Sequence, residues 1–199
     1  MTALVHDTAD VADDVVLGDR TRIWHHAQVR EGAALGADCI VGRGAYIGAG
    51  VRLGDRCKVQ NNALVYEPAV LADGVFIGPG AILTNDRHPR AVTPDGKPKS
   101  ATDWDAVGVM CAEGASVGAA AVCVAPVVLG RWSLVAAGAV VVDDVPDFGL
   151  VAGNPGRRVG WVGPAGVRLV PDGEAGGWRC PVGGERYEEA DGLLRQVAL

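Results

Sequence analysis

The chain has 199 residues, 49% of them hydrophobic but only 5% aromatic, with 29 glycines and a formal net charge of −6. That length holds one principal domain and a small appendix, and the scarcity of rings favours a thin aliphatic core. The acidic balance argues against sequence-independent nucleic-acid binding, which rests on a basic surface.

The acidic stretch from Met1 to Asp14 has neither the basic start nor the apolar centre of a secretory leader. The longest apolar run, Ala119 to Leu129, is too short to span a bilayer and contains Pro126. Five cysteines without a CxxC pair form neither a disulfide framework nor a zinc site, so they are expected as reduced thiols serving as small core residues. These readings predict a cytoplasmic protein with no nucleic-acid and no membrane partner.

From Val5 to Leu83 a branched aliphatic residue falls at every sixth position: Val5, Val11, Leu17, Ile23, Val29, Leu35, Val41, Ile47, Leu53, Val59, Val65, Leu71, Ile77 and Leu83. A second track, four residues after each aliphatic, is small or β-branched throughout, from Ala9 and Val15 to Val75 and Ala81. A period of six fits neither a helix nor an alternating strand, and it predicts an all-β parallel β-helix. Each hexad supplies a short strand and a corner, and three hexads close a triangular coil. Coils then stack at the inter-strand spacing of roughly 4.8 Å. Such hexads wind left-handed, against the usual crossover preference. Cys39 and Cys57, eighteen positions apart, should sit one above the other on the small inner track.

The hexads stop after Leu83. Pro89, Pro94, Pro98 and the Asp95-Gly96 pair forbid continued winding, so residues 84–106 are read as an excursion loop. Winding resumes at about Val107, with Val117, Leu129, Val135 and Val141 on the aliphatic track. Val145-Pro146 begins the exit and 151–159 reads as a turn-rich cap. The β-helix is thus assigned to residues 1–160. A small antiparallel β tail over 161–199 follows, its short strands separated by Pro-Asp-Gly, Gly-Gly and Asp-Gly turns.

Long loops on rigid scaffolds tend to carry function, and this one holds His88 beside Pro89. Imidazole titrates near neutrality and is suited to general-base work, so His88 is a candidate for taking the proton of an attacking nucleophile; a substrate hydrogen bond or a plain loop histidine are its other readings. Trp24, His25 and His26 fall on one corner, where at most one points inward and a sugar or uracil-type ring could stack on Trp24; an exposed corner or a subunit contact is the bland alternative. Asn62 and Tyr66 sit where coils would meet a cleft, or they merely support turns. Arg157 and Arg158 suit a phosphate or pyrophosphate through charge-assisted hydrogen bonds, or are a solvated basic pair. Arg87, Arg90, Lys97 and Lys99 make the excursion locally basic, which suits a phosphate-bearing ligand or is simply a solvated cluster.

The hexads, the His-Pro loop and the closing Val151-Ala152-Gly153-Asn154-Pro155 together resemble the left-handed β-helix acyltransferases over about residues 5–162. Three segments narrow the resemblance: 23–26, 58–62 with 65–67, and 84–86 with Pro89-Arg90. These are similar to N-acetyltransferases that acylate an amino group on a nucleotide-linked amino sugar. The resemblance implies acetyl-CoA as co-substrate, no metal, and a homotrimer with ligands between neighbouring prisms. It also implies that Asn85 orients the amine and that Ala136, Ala137 and Asn154 line the cofactor arm. Three other readings compete: O-acetylation of a simple sugar or small alcohol with His88 as base, a zinc carbonic anhydrase-like trimer, and a noncatalytic solenoid. The third-histidine geometry of the zinc site is hard to supply from His6, His25, His26 and His88, none of which are spaced His-x4-His.

Overall fold

A computed structural model describes residues 2–173 and 176–197. Within them the chain is all-β, a triangular parallel β-helix. Three parallel sheets form its walls: the first runs from Leu4–Val5 to Gly149–Ala152, the second from Asp10–Val11 to Val140–Val141, and the third from Val16–Leu17 to Val127–Leu129. Register is set by the coil: Leu4 pairs with Arg22, Val5 with Ile23, and Lys58 with Phe76, each eighteen positions on. Coils are numbered here from their first-sheet strand, so coil two starts at Arg22 and coil seven at Leu134.

The aliphatic track fills the prism. Ile23, Val41, Ile47, Val59, Val65, Ile77 and Leu83 are fully buried, and so is the small track at Ala27, Ala33, Cys39, Ala63 and Ala81. Corners are tied between coils by side-chain acceptors: Asp55 Oδ1 accepts from Ala37 N at 2.8 Å, Asn61 Oδ1 from Arg43 N at 2.9 Å, and Asp73 Oδ1 from Asp55 N at 2.9 Å. At the polar small-track position Thr21, the hydroxyl donates to Gly36 O and accepts from Cys39 N, so burial leaves it satisfied.

The excursion leaves and rejoins without shifting the walls. Leu71 pairs with Cys111 and Leu83 with Cys123, forty positions apart instead of eighteen. Cys111 and Cys123 therefore take aliphatic-track slots, whereas only Cys39 and Cys57 lie on the small track. All five cysteines are free and buried. Burial pushes the Cys123 thiol up to about 12 and the Cys111 thiol higher still.

The last turn departs from the expected cap. Residues 149–152 continue the first sheet and turn back through Gly153–Gly156 into an antiparallel strand, Arg157–Trp161. That strand runs through position 160, so the hairpin straddles the point where the sequence reading passes from β-helix to tail. A four-stranded antiparallel sheet follows (Val170–Pro171, Gly177–Arg179, Arg186–Ala190, Leu193–Gln196). Its core of Trp161, Leu169, Cys180, Tyr187 and Leu194 packs with Phe148 of the last coil. Residues 1, 174–175 and 198–199 of the expected assignments lie outside the described residues.

Candidate active site

Two edges of the prism receive most of the residues singled out by the sequence. The second edge, between the second and third sheets, is where the excursion departs. Thr84 ends the buried run there, its hydroxyl accepting from Ala125 N at 3.0 Å, and Asn85 O accepts from Val107 N at 3.0 Å, so the loop is pinned at both ends. One coil below, Tyr66 packs its ring 5.1 Å from that of Tyr46. Glu67 lies beside it, with Oε2 buried and without a hydrogen-bond partner among the described residues. That oxygen occupies the space a Cβ on Gly48 would fill. Desolvation, then the Glu67 charge, raises the Tyr46 hydroxyl above its ordinary value. The structure thus brings Tyr66 and Asn85 to one edge, from which the excursion carries His88 and Arg90 outward. His88 is exposed, its backbone N–H capped by Asp86 Oδ1 at 2.7 Å, and Arg90 is exposed two residues on.

The first edge, between the first and second sheets, carries Trp24, His25 and His26 on coil two, Asn62 on coil four, and Ala136 and Ala137 on coil seven. None of the three coil-two residues faces inward: Trp24, His25 and His26 are all exposed. His26 and Asn62 hold positive φ angles of 56° and 57° at equivalent turn positions, so Asn62 is a corner residue as well as a surface one. At the far end of this edge the last coil stacks on Ala136 and the hairpin turn on Val140, while Ala137 stays exposed: Ala136 N donates to Val151 O at 2.8 Å, and Gly156 N to Val140 O at 2.7 Å. Asn154 is exposed in that turn.

Arg157 and Arg158, consecutive residues of one strand, have unlike surroundings. Arg157 is open to solvent, donating to Gly156 O at 2.9 Å and lying 3.4 Å from Asp143 Oδ2. Arg158 lies with its guanidinium 4.1 Å over the Trp161 ring and 3.3 Å from Glu189 Oε1, which ties it to the C-terminal sheet. A cleft of about 150 Å³ bounded by Asp143, Val151, Gly156, Arg157 and Arg158 opens beside them. A larger cavity, about 640 Å³, lies between the last coil and the C-terminal sheet against Trp132, Phe148 and Arg195, away from every predicted site residue. Among the described residues no group of three His, Cys, Asp or Glu side chains is disposed to hold a metal.

Two residues escaped the sequence reading. His6 stacks on His25 with ring centroids 3.4 Å apart, and Arg43 lies near enough to lower the His25 imidazole. The coil period was the available signal, since His6 precedes Trp24 and Arg43 follows His25 by eighteen positions.

Residues 27–67 match the family described as the hexapeptide repeat of succinyl-transferase. That match covers about a fifth of the chain, within coils two to four of the β-helix. Over 87 residues the protein is 38% identical to the dTDP-3-amino-3,6-dideoxy-alpha-D-galactopyranose 3-N-acetyltransferase of Aneurinibacillus thermoaerophilus, 44% of each chain; the β-helix protein thus spans less than half of that relative. It also resembles a hexapeptide-repeat acetyltransferase of Vibrio cholerae solved with acetyl coenzyme A, at 25% identity and a TM-score of 0.55, over 67% of this chain and 72% of that one. A third likeness, of fold alone, is to the Bacillus cereus N-acyltransferase AntD, at 15% identity and a TM-score of 0.56, over 81% of this chain and 84% of that one.

Proposed function

We propose that the chain is an acetyl-CoA-dependent N-acetyltransferase acting on the amino group of a nucleotide-linked amino sugar. The observation that carries this reading is the second edge, where the excursion that bears His88 leaves at Asn85, one coil above Tyr66 and a buried carboxylate oxygen of Glu67 without a hydrogen-bond partner among the described residues. The relative from Aneurinibacillus, named as an N-acetyltransferase of a dTDP-linked amino sugar, supports the substrate class.

Amide formation from a thioester needs a neutral amine, a fixed carbonyl and a proton acceptor. His88 takes the proton as the amine attacks the thioester carbon, and Asn85 orients that amine. The tetrahedral adduct then collapses with loss of the coenzyme A thiolate. Ala136, Ala137 and Asn154 give the pantetheine arm a shallow track, and exposed Arg157 meets a phosphate. Arg158 is already engaged by Trp161 and Glu189, which removes it from that role.

The same reading includes a homotrimer. On the outer face of the second sheet, Tyr46, Leu64, Ile82, Val122 and Val140 follow one another in register, an apolar stripe suited to burial against another prism. With a flat-walled prism, a site that joins loop and cap is best built between copies. Both substrates are cytosolic metabolites, which supports a cytoplasmic place.

The test is release of thiol from acetyl-CoA against a panel of nucleotide-linked amino sugars, with mass measurement of the product. A product gaining one acetyl group that survives alkaline hydroxylamine is the expected result. A hydroxylamine-labile product would replace the amide reading with O-acetylation, and no turnover with any amino sugar would end it.

A further inference from the structure

The first edge of coil two carries a surface that catalysis at the second edge leaves unused. His6 and His25 stack with ring centroids 3.4 Å apart, and Trp24 lies beside His25 in a nearly parallel plane, 3° off, with centroids 6.3 Å apart. The three rings form one terrace, and Trp24 is 38% exposed. It is set in place before any ligand arrives: the Thr8 hydroxyl lies 3.1 Å from His6 Nδ1 and accepts from His26 N at 3.3 Å.

Positive charge flanks the terrace in a chain of net charge −6. Arg43 stands one coil above His25, its backbone N–H held by Asn61, and its guanidinium has no carboxylate partner among the described residues. Arg22 and Lys58 point outward on the adjoining wall, in register with Ile40 between them, and are likewise free of ion pairs among the described residues. Unpaired cations beside an exposed aromatic plane recognise a planar heterocycle carrying phosphate.

Resting on the substrate class proposed above, we infer that this terrace seats the nucleotide of the sugar nucleotide, the base stacked on Trp24 and His25 with His6 as the supporting ring, and the diphosphate on Arg43. His25 is held below the usual imidazole range, chiefly by desolvation and then by His6, His26 and Arg43, so it stacks as a neutral ring. Coenzyme A also carries a nucleotide, but the track assigned to it lies at coil seven, five coils or about 24 Å along the axis.

Calorimetry on the full chain tests this, with thymidine diphosphate, thymidine, inorganic pyrophosphate and adenosine 3′,5′-bisphosphate as separate probes. Arg43→Met should weaken thymidine diphosphate about tenfold or more and leave thymidine unchanged. Trp24→Ala should weaken both nucleoside probes and leave pyrophosphate unchanged, with Trp24→Phe restoring most of the loss. Coenzyme A affinity and the thermal midpoint should stay at wild-type values in all three variants, which separates a lost contact from a lost fold. Wild-type thymidine diphosphate affinity in both Arg43→Met and Trp24→Ala overturns the terrace, and if those variants still acetylate a nucleotide amino sugar with unchanged KM the proposed activity survives without it. Parallel losses for adenosine 3′,5′-bisphosphate would assign the terrace to coenzyme A and also overturn the inference. Failure of the wild-type chain to bind any nucleotide sugar overturns both readings together.

Discussion

Arg158 rests its guanidinium 4.1 Å above the Trp161 ring while its neighbour Arg157 reaches into solvent, so two adjacent arginines have separate duties. Arg158→Ala should lower stability by about 1–2 kcal/mol, through the lost cation–π contact and the lost pairing with Glu189. The drop is read as a lower thermal midpoint, with KM for acetyl-CoA nearly unchanged. Arg157→Ala should do the opposite, raising KM and sparing stability, because it removes a ground-state phosphate contact. A shared phenotype for the two would contradict this division.

Glu189 is the polar hub beneath that contact. Its Oε2 accepts from Trp161 Nε1 at 2.8 Å and from Trp178 Nε1 at 3.0 Å, and Trp161 is fully buried. Glu189→Ala leaves a buried indole N–H without an acceptor and should cost about 2–4 kcal/mol in denaturant unfolding. Glu189→Gln keeps an acceptor oxygen and should lose less than half as much; equal losses would mean that charge, and not the hydrogen bonds, matters there.

His88→Ala should reduce kcat by about 10² to 10⁴ if the imidazole accepts the amine proton. The ring is exposed and its loop is pinned at Asn85 and Val107, so the variant should keep the wild-type melting temperature. A kcat within tenfold of wild type removes the base from the mechanism.

His25 supplies a pH signature. Its folded imidazole is lowered from 6.5, first by desolvation and then by His6, His26 and Arg43. Between the folded and unfolded values the unfolded chain binds more protons, so the His25 contribution to stability is complete above the unfolded value and declines as pH falls toward the folded one. Proton NMR of the ring should show a midpoint below 6.5, moving upward in Arg43→Met. A midpoint that ignores that substitution would separate the two side chains.

Gly114 adopts a φ of 69° with the Trp132 ring lying where a Cβ would go. Gly114→Ala should therefore destabilise by about 1–3 kcal/mol, since the substituent meets both a left-handed backbone and an aromatic ring. Gly50→Ala, at a φ of 67° with open space around it, isolates the backbone share of that cost.

The hexads made the prism legible because burial repeats with the coil, and Val5, Ile23, Val41 and Val59 share one line by arithmetic alone. Cys111 and Cys123 obscured the track after the excursion because cysteine fits either inner position. The hairpin was hidden because residues 149–161 carry no hexad to contrast with a cap. For the candidate site, the sequence located the loop and Tyr66 but not Tyr46, whose ring packs on Tyr66 from twenty positions earlier. Glu189 serves Trp161 from twenty-eight positions away, a pairing that no local spacing announces. His6 and Arg43 were missed because each is unremarkable until the coil brings it beside His25.

Leu71 and Cys111 are matched as squarely as Leu53 and Leu71, although a whole excursion lies between the first two. The scaffold is therefore indifferent to how much chain is paid out at that point, and the reactive segment can be lengthened, trimmed or exchanged while every rung keeps its partner. Grafting a different loop between Thr84 and Val107 is thus a route to new acceptors on an unchanged frame.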